Sequence, residues 1–314
     1  MADVTTDAPS VPAGDFAADT AVTPVPGAPG TFTADLSEAW KVFYAFGGAS
    51  MAVALRAAQA GLDRDDLAPV SATAVYAAPV PCGEMTIDTR ILRAGRSAAQ
   101  VTADLRAGGP GERAGETDLH LTAIFGAPHE SRLEFCEVTY PEDALPLAES
   151  VPPDPMPADS PFAAINYHHQ TEWLPARPGG GFRGEGWEPG GPARALAWHR
   201  LKETPRLADG TVDPIAYCLP ADVIGPAIVA KIGPEMATNP PLLMLSLEIS
   251  LQFVATTTSP WLLQHTRAHH SANGYAWGSV ELWGEDRQLL AFGTQRAHVR
   301  PVDISRFAPG GGTA

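Results

Sequence analysis

"FYAFGGASMAVALRAAQAGL", residues 43–62, is the stretch that decides the fold. Gly47-Gly48 open it and Gly61 lies near its end, so the spacing predicts one helix. Its alanines make a slim helix that a sheet can wrap closely. "PVSATAVYAAPVPCGEMTIDTRILRAGRSAAQVTADLRA" (69–107) and "DLHLTAIFG" (118–126) follow it. In the first of these, Ile87, Thr89 and Ile91 share one face at the strand period of two, and Gly95 sits in the turn between two long strands. The same order then recurs. "ADVIGPAIVAKIGPEM" (221–236) reads as a second helix, and "LLMLSLEISLQFVATTTSPWLLQHTRAHHSANGYAWGSVELWG" (242–284) holds long strands with Asn273-Gly274 at a hairpin turn. "QLLAFGTQRAHVR" (288–300) is the closing strand. Between the copies, the Pro and Gly density of "PPDPMPADSPFAAINYHHQTEWLPARPGGGFRGEGWEPGGPAR" (152–194) marks a connection.

The expected fold class is therefore α+β: two copies of one unit, each an antiparallel sheet around a central helix. The first unit spans 1–150 with a mobile leader over 1–15, the linker 151–190, the second unit 191–303, and a flexible tail 304–314. Segments 40–140 and 190–303 are expected to superpose.

Charge limits the partners. The formal net charge is -15, which argues against nucleic acid, because nucleic acid demands a basic face. No stretch approaches about 18 consecutive apolar residues, so no membrane span is expected. Cys82, Cys136 and Cys218 form no CxxC and no metal pattern. With no basic, apolar leader at the N-terminus, they read as reduced thiols of a cytoplasmic protein that needs no cofactor. His269-His270 point to opposite faces of a strand and cannot easily chelate one ion, and His168-His169 lie in the linker.

One residue breaks the pattern. On the closing strand Leu289, Ala291, Gly293, Gln295, Ala297 and Val299 share a face, and Gln295 alone on it is polar. A buried amide without partners costs roughly 1–3 kcal/mol. Gln295 either bonds a neighbouring backbone group or holds something that visits.

"FGGASMAVALRAA", then "PVSATAVYAAPV", then "RILRAGRSAAQV" resemble the first half of acyl-CoA thioesterase II, the double-hotdog thioesterases. "WLLQHTRAHHSANGYAWGSVELW" and "LLAFGTQRAHVR" resemble the family's closing hairpin and its Gln-bearing terminal strand. The resemblance runs from Trp40 to Arg300 with the linker unmatched. It implies two fused hotdog folds whose sheets join, an acyl-CoA substrate, and hydrolysis to free acid and CoA within fatty acid metabolism. It also implies a site: Asp222 at the start of the second helix, Ser246 on the next strand, and Gln295. Asp222 would accept a proton from a water that Gln295 shares and Ser246 helps to orient. The amide of Gly48, at the mouth of the first helix, would receive the oxyanion. The first helix carries no carboxylate, so one site per chain is expected, built from both halves.

Other readings of the same residues stay open. Asp222 is also a natural helix N-cap. Ser246 alternates with Glu248 and Ser250, so its face can be polar and solvated, and Glu248 is a rival carboxylate. Gly47-Gly48 can serve close packing alone. Arg90, Arg93 and Arg96 can meet CoA phosphates or simply charge a hairpin. "VYAAPV" and "QFVATT" depart from the family near the acyl tunnel, so chain length does not carry over. A hydratase needs a His that "ADVIGPA" lacks, whereas a non-catalytic acyl-binding protein keeps the fold without the chemistry. Exposed sheet edges and faces make a homodimer or tetramer the expectation. Sedimentation at micromolar concentration should then show particles heavier than one 33.0 kDa chain; particles of only that mass would contradict it.

Overall fold

The computed structural model describes residues 11–130, 132–153, 165–177, 190–233 and 240–302. The first half runs α1 (Phe16–Asp19), β1 (Thr23–Pro24), β2 (Thr31–Leu36), α2 (Gly47–Leu62), β3 (Ala68–Tyr76), β4 (Gly83–Ala94), β5 (Ala98–Ala107) and β6 (Leu119–Gly126). Next come α3 (Asn166–Gln170), β7 (Thr171–Pro175) and β8 (Arg194–Leu201). The chain closes with α4 (Cys218–Ala221), α5 (Gly225–Ile232), β9 (Leu242–Phe253), β10 (Leu262–Ala272), β11 (Tyr275–Trp283) and β12 (Leu289–Pro301).

The twelve strands among the described residues form one sheet, in the order β1-β2-β4-β5-β6-β3-β9-β12-β11-β10-β8-β7. The order is the same from either end when the halves are exchanged: β3 corresponds to β9, β6 to β12, β5 to β11, β4 to β10 and β2 to β8. This is the hotdog arrangement twice over, joined where β3 pairs antiparallel with β9 from Ser71↔Gln252 to Val75↔Glu248. A hydrogen bond of 3.0 Å between the Thr73 and Ser250 hydroxyls crosses the seam.

The inner face of the first half wraps α2, which packs against β2, β3, β4, β5 and β6. Ala49, Ala52, Val53, Ala54, Leu55 and Ala58 are fully buried, because small side chains let strands approach from several sides at once. Asp63 closes the helix in the left-handed region at φ 51°. Its start is different. The N-cap position is Phe46, whose side chain makes no capping bond, so the first amides of α2 need acceptors from elsewhere.

Several expectations are corrected here. The leader was expected to be mobile through residue 15; at its end Gly14 lies against the Trp40 ring and its amide donates to Gln170 Oε1 at 2.8 Å. Residues 1–10 and the tail 304–314 lie outside the described residues. The linker is more than a connection, since it carries α3 and β7, and β7 pairs with β8 at the sheet's edge. Strands β2 and β8 lie before the repeats that the sequence shows.

The second helix is broken. Pro226 lies in the first turn of α5, and in a continuous helix its ring would clash with the carbonyl four residues back, that of Asp222. The chain therefore stops at α4 and restarts. The whole stretch Pro214–Ile232 is long and apolar enough by composition to cross a membrane, yet Tyr217, Cys218, Leu219 and Ala221 are fully buried in the core, and the break falls within it.

The crossing of α2 over α4 requires glycine. A methyl group at Gly48 would sit 2.2 Å from the Cys218 carbonyl oxygen and 2.8 Å from Leu219 Cα. Gly48→Ala should therefore force the helices apart at a cost of about 1–3 kcal/mol or more. Gly225→Ala, whose methyl would meet only Met244 Sδ at 3.5 Å, should be tolerated. Thermal melts of the two variants check this, and equal melting temperatures would contradict it.

Candidate active site

Asp222 ends α4, with φ -95° and ψ 40°, and the N-cap position of α5 is Ile224. It does not open the second helix. The helix it caps is α2 of the other half: the Gly48 amide donates to Asp222 Oδ2 at 3.0 Å across 174 residues of sequence. The Gly47 backbone also hydrogen-bonds the carboxylate. A methyl group at Gly47 would lie 2.5 Å from Oδ2, so this glycine is what lets the carboxylate reach the helix end. The partial positive charge at the N-terminus of α2 holds the anion there.

Gln295 lies on the inner face of β12, 5% exposed. Its Oε1 accepts from the Ile224 amide at 2.8 Å, which fixes the side-chain amide and turns Nε2 towards Asp222. Nε2 donates to Asp222 Oδ1 at 2.5 Å and to Ser246 Oγ at 2.8 Å. Gln295 thus bonds a neighbouring backbone group and also joins the side-chain cluster. Asp222 and Gln295 touch directly, where a shared water was expected.

Ser246 Oγ donates to Asp222 Oδ1 at 2.5 Å. Strict alternation places Ser246 with Glu248 and Ser250 on the outer face. A β-bulge changes this: Arg296 pairs with Glu248 and Ala297 with Ser246, so Leu247 is the extra residue. The parity flips there, Ser246 turns inward, and Glu248 remains exposed on the other face.

The Gly48 amide, expected to receive the oxyanion, donates to Asp222 Oδ2 in this structure. The amides of Ala49 and Ser50 are spent as well, both donating to the Phe46 carbonyl. Arg93 and Arg96 sit towards the β4–β5 turn, at the end of the strands opposite Tyr76 and the cluster.

Two tyrosines complete the surroundings, and sequence reasoning missed both. Tyr76 ends β3 on the inward parity of Ala72 and Ala74, and its hydroxyl donates to the Gly47 carbonyl at 2.6 Å. That parity was readable. Tyr167 comes from α3, inside the Pro- and Gly-rich connection, where no periodicity signals it. Its ring stacks on Phe46 with centroids 4.2 Å apart. Burial raises both phenols above the usual tyrosine range, and the Asp222 charge adds to the effect.

Burial pushes the Asp222 carboxyl up to about 7, against the downward pull of hydrogen bonds from Ser246, Gly48, Gly47 and Gln295. These donors match the roughly four lone-pair positions of a carboxylate. The folded protein therefore keeps a proton that the unfolded chain, with its ordinary Asp near 3.8, releases. Between about pH 4 and 7 rising pH favours the unfolded state, and the contribution levels off above 7. An Asn at this position does not titrate, but its NH₂ must face one of the donors. Asp222→Asn should accordingly be less stable than the parent near pH 4, by about 1–3 kcal/mol for a mispaired buried donor. That gap should narrow as pH rises towards 7, since each unit of raised pKa is worth about 1.4 kcal/mol. Paired thermal melts from pH 4 to 8 check this; a gap independent of pH would contradict it.

Residues 36–126 match the profile of the acyl-CoA thioesterase N-terminal domain, and residues 146–299 that of the acyl-CoA thioesterase C-terminal domain. No curated protein matches the chain in sequence. Among solved structures, a hotdog-fold protein of unknown function from Alicyclobacillus acidocaldarius is 23% identical with a TM-score of 0.71, covering 91% of this chain and 98% of that one. A candidate thioesterase from Novosphingobium aromaticivorans is 24% identical with a TM-score of 0.67, covering 88% and 98%. An acyl-CoA thioesterase II from Mycobacterium marinum is 14% identical with a TM-score of 0.63, covering 92% and 99%. At these identities the likeness is one of fold.

Proposed function

The chain belongs to the acyl-CoA thioesterase family, a family of thioester hydrolases, and from that premise we propose that Asp222 is its general base, with Gln295 and Ser246 orienting the attacking water. The observation that carries this reading is the convergence of Gln295 Nε2 and Ser246 Oγ on the same oxygen of a buried carboxylate. A structural N-cap needs one acceptor oxygen. Here Oδ2 serves the cap, while Oδ1 faces two side chains that can pass their bonds to a water.

Water enters by parting the contacts at Oδ1. The Ser246 hydroxyl can turn between donating and accepting, and Gln295 stays in place because Ile224 holds its other end. The water oxygen adds to the thioester carbonyl carbon while one of its protons passes to Asp222 Oδ1. The carbonyl electrons then return, the C–S bond breaks, and its electron pair leaves with sulfur. The Asp222 proton goes to that thiolate. The products are a carboxylic acid and a thiol, and the carboxylate is restored. A carboxyl near 7 suits this task, because it is ionised enough to accept a proton and basic enough to pull on it.

Thiol release from a panel of acyl-CoAs tests the activity. No release from any of them, with the acyl-CoAs still bound, would leave acyl binding as the function. For hydrolysed substrates, kcat/KM should rise with pH through about 7, because the base must be ionised. Asp222→Asn should lower kcat by roughly 10²–10⁴-fold, and Gln295→Ala by less, because Gln295 orients without accepting a proton. Full turnover by Asp222→Asn would contradict the assignment.

A further inference from the structure

Addition of water to a thioester carbonyl creates an oxyanion, and the oxyanion needs a hydrogen-bond donor. The start of α2 cannot supply it while its amides are spent on Asp222 and Phe46. Ser246 and Gln295 are committed to the water. Tyr76 already donates its hydroxyl to the Gly47 carbonyl at 2.6 Å. We propose that the Tyr167 hydroxyl hydrogen-bonds the thioester carbonyl oxygen as it becomes the oxyanion, with His199 orienting that hydroxyl. The proposal rests on the thioesterase reading of Asp222.

Tyr167 is placed firmly. Four hydrogen bonds tie α3 to the first half. The Tyr167 amide donates to the Lys41 carbonyl at 3.1 Å, and Asn166 Nδ2 to the Glu38 carbonyl at 2.8 Å. Gln170 accepts from the Gly14 amide at 2.8 Å and donates to the Pro12 carbonyl at 3.0 Å. The ring then lies on Phe46, the residue just before Gly47-Gly48, which places it near enough to Asp222 to feel its charge. Its far end reaches the second half, where the hydroxyl lies 3.5 Å from His199 Nε2 on the inner face of β8. Both side chains are buried.

The chemistry of the pair fits a donor. Burial and the nearby Asp222 charge keep the phenol protonated, so it donates a hydrogen bond and gives up no proton. Burial holds His199 down at about 4, so the imidazole is neutral and adds no charge beside the base. The hydroxyl's contact with His199 is at the limit of hydrogen bonding. Turning it towards a substrate oxygen therefore loses little. During the reaction no bond to Tyr167 forms or breaks; it stabilises the charge that the water's attack places on the carbonyl oxygen.

Tyr167→Phe keeps the ring on Phe46 and removes only the hydroxyl. On an acyl-CoA that the parent hydrolyses, kcat should fall roughly 10²–10³-fold, the usual effect of losing one oxyanion donor. KM and the acid limb of the pH profile should stay in place, and thermal melts should show an intact fold. His199→Gln should give a smaller loss of kcat, because the hydroxyl remains but is less well oriented. A Tyr167→Phe enzyme with the parent's kcat would overturn the proposal, and so would a loss confined to KM or to melting temperature. If the parent itself releases no thiol, the failure lies with the thioesterase reading.

Discussion

The structure depends on one hydrogen-bonded contact, that of the Asp222 carboxylate with the unsatisfied amides at the start of α2. An uncapped helix end and a buried carboxylate are each costly alone. Together they satisfy one another, and because they come from different halves, the contact couples two folding units into one. The surrounding sequence serves that meeting. Gly47 leaves room for the carboxylate, Gly48 lets α2 cross the backbone of α4, and Pro226 breaks the second helix just after Asp222.

The halves share a topology but differ in what they contribute to the site. The second supplies the carboxylate, the hydroxyl of Ser246 and the amide of Gln295. The first supplies a helix end that has glycines where the second half has its acid. On the matching strand β6 the inward residues Leu121 and Ala123 are apolar and fully buried. A pseudo-symmetric sheet thus holds one polar cluster, set at the seam where β3 meets β9. The connection between the halves takes part as well, since α3 brings Tyr167 over Phe46.

The repeat and the inward face of Gln295 were legible because each rests on a period: two for strands, and one copy of the unit for the fold; the junction of the sheets was legible through the family resemblance. Ser246 was legible only through the family resemblance. Alternation alone put it on the solvent face, and the bulge at Leu247 that reverses its parity leaves no mark in composition. Asp222 looked like the opening residue of its own helix because a sequence shows the neighbours of a residue along the chain and not the helix end it meets 174 residues away. The contact of the Gly48 amide with Asp222 was hidden for the same reason. Strands β2, β7 and β8 were missed because they lie in Pro- and Gly-rich or repeat-flanking segments, where short strands are defined by their partners.

The central claim is that this carboxylate, buried between the halves, is poised to exchange a proton near neutrality. The direct measurement is a carbon-13 NMR titration of the Asp side-chain carboxyls in the free protein, with Asp222→Asn identifying the Asp222 signal. The account predicts that this signal titrates near 7, well above the ordinary Asp value of 3.8. An Asp222 carboxyl that titrates at or below 4 would show an ordinary helix cap and would contradict it.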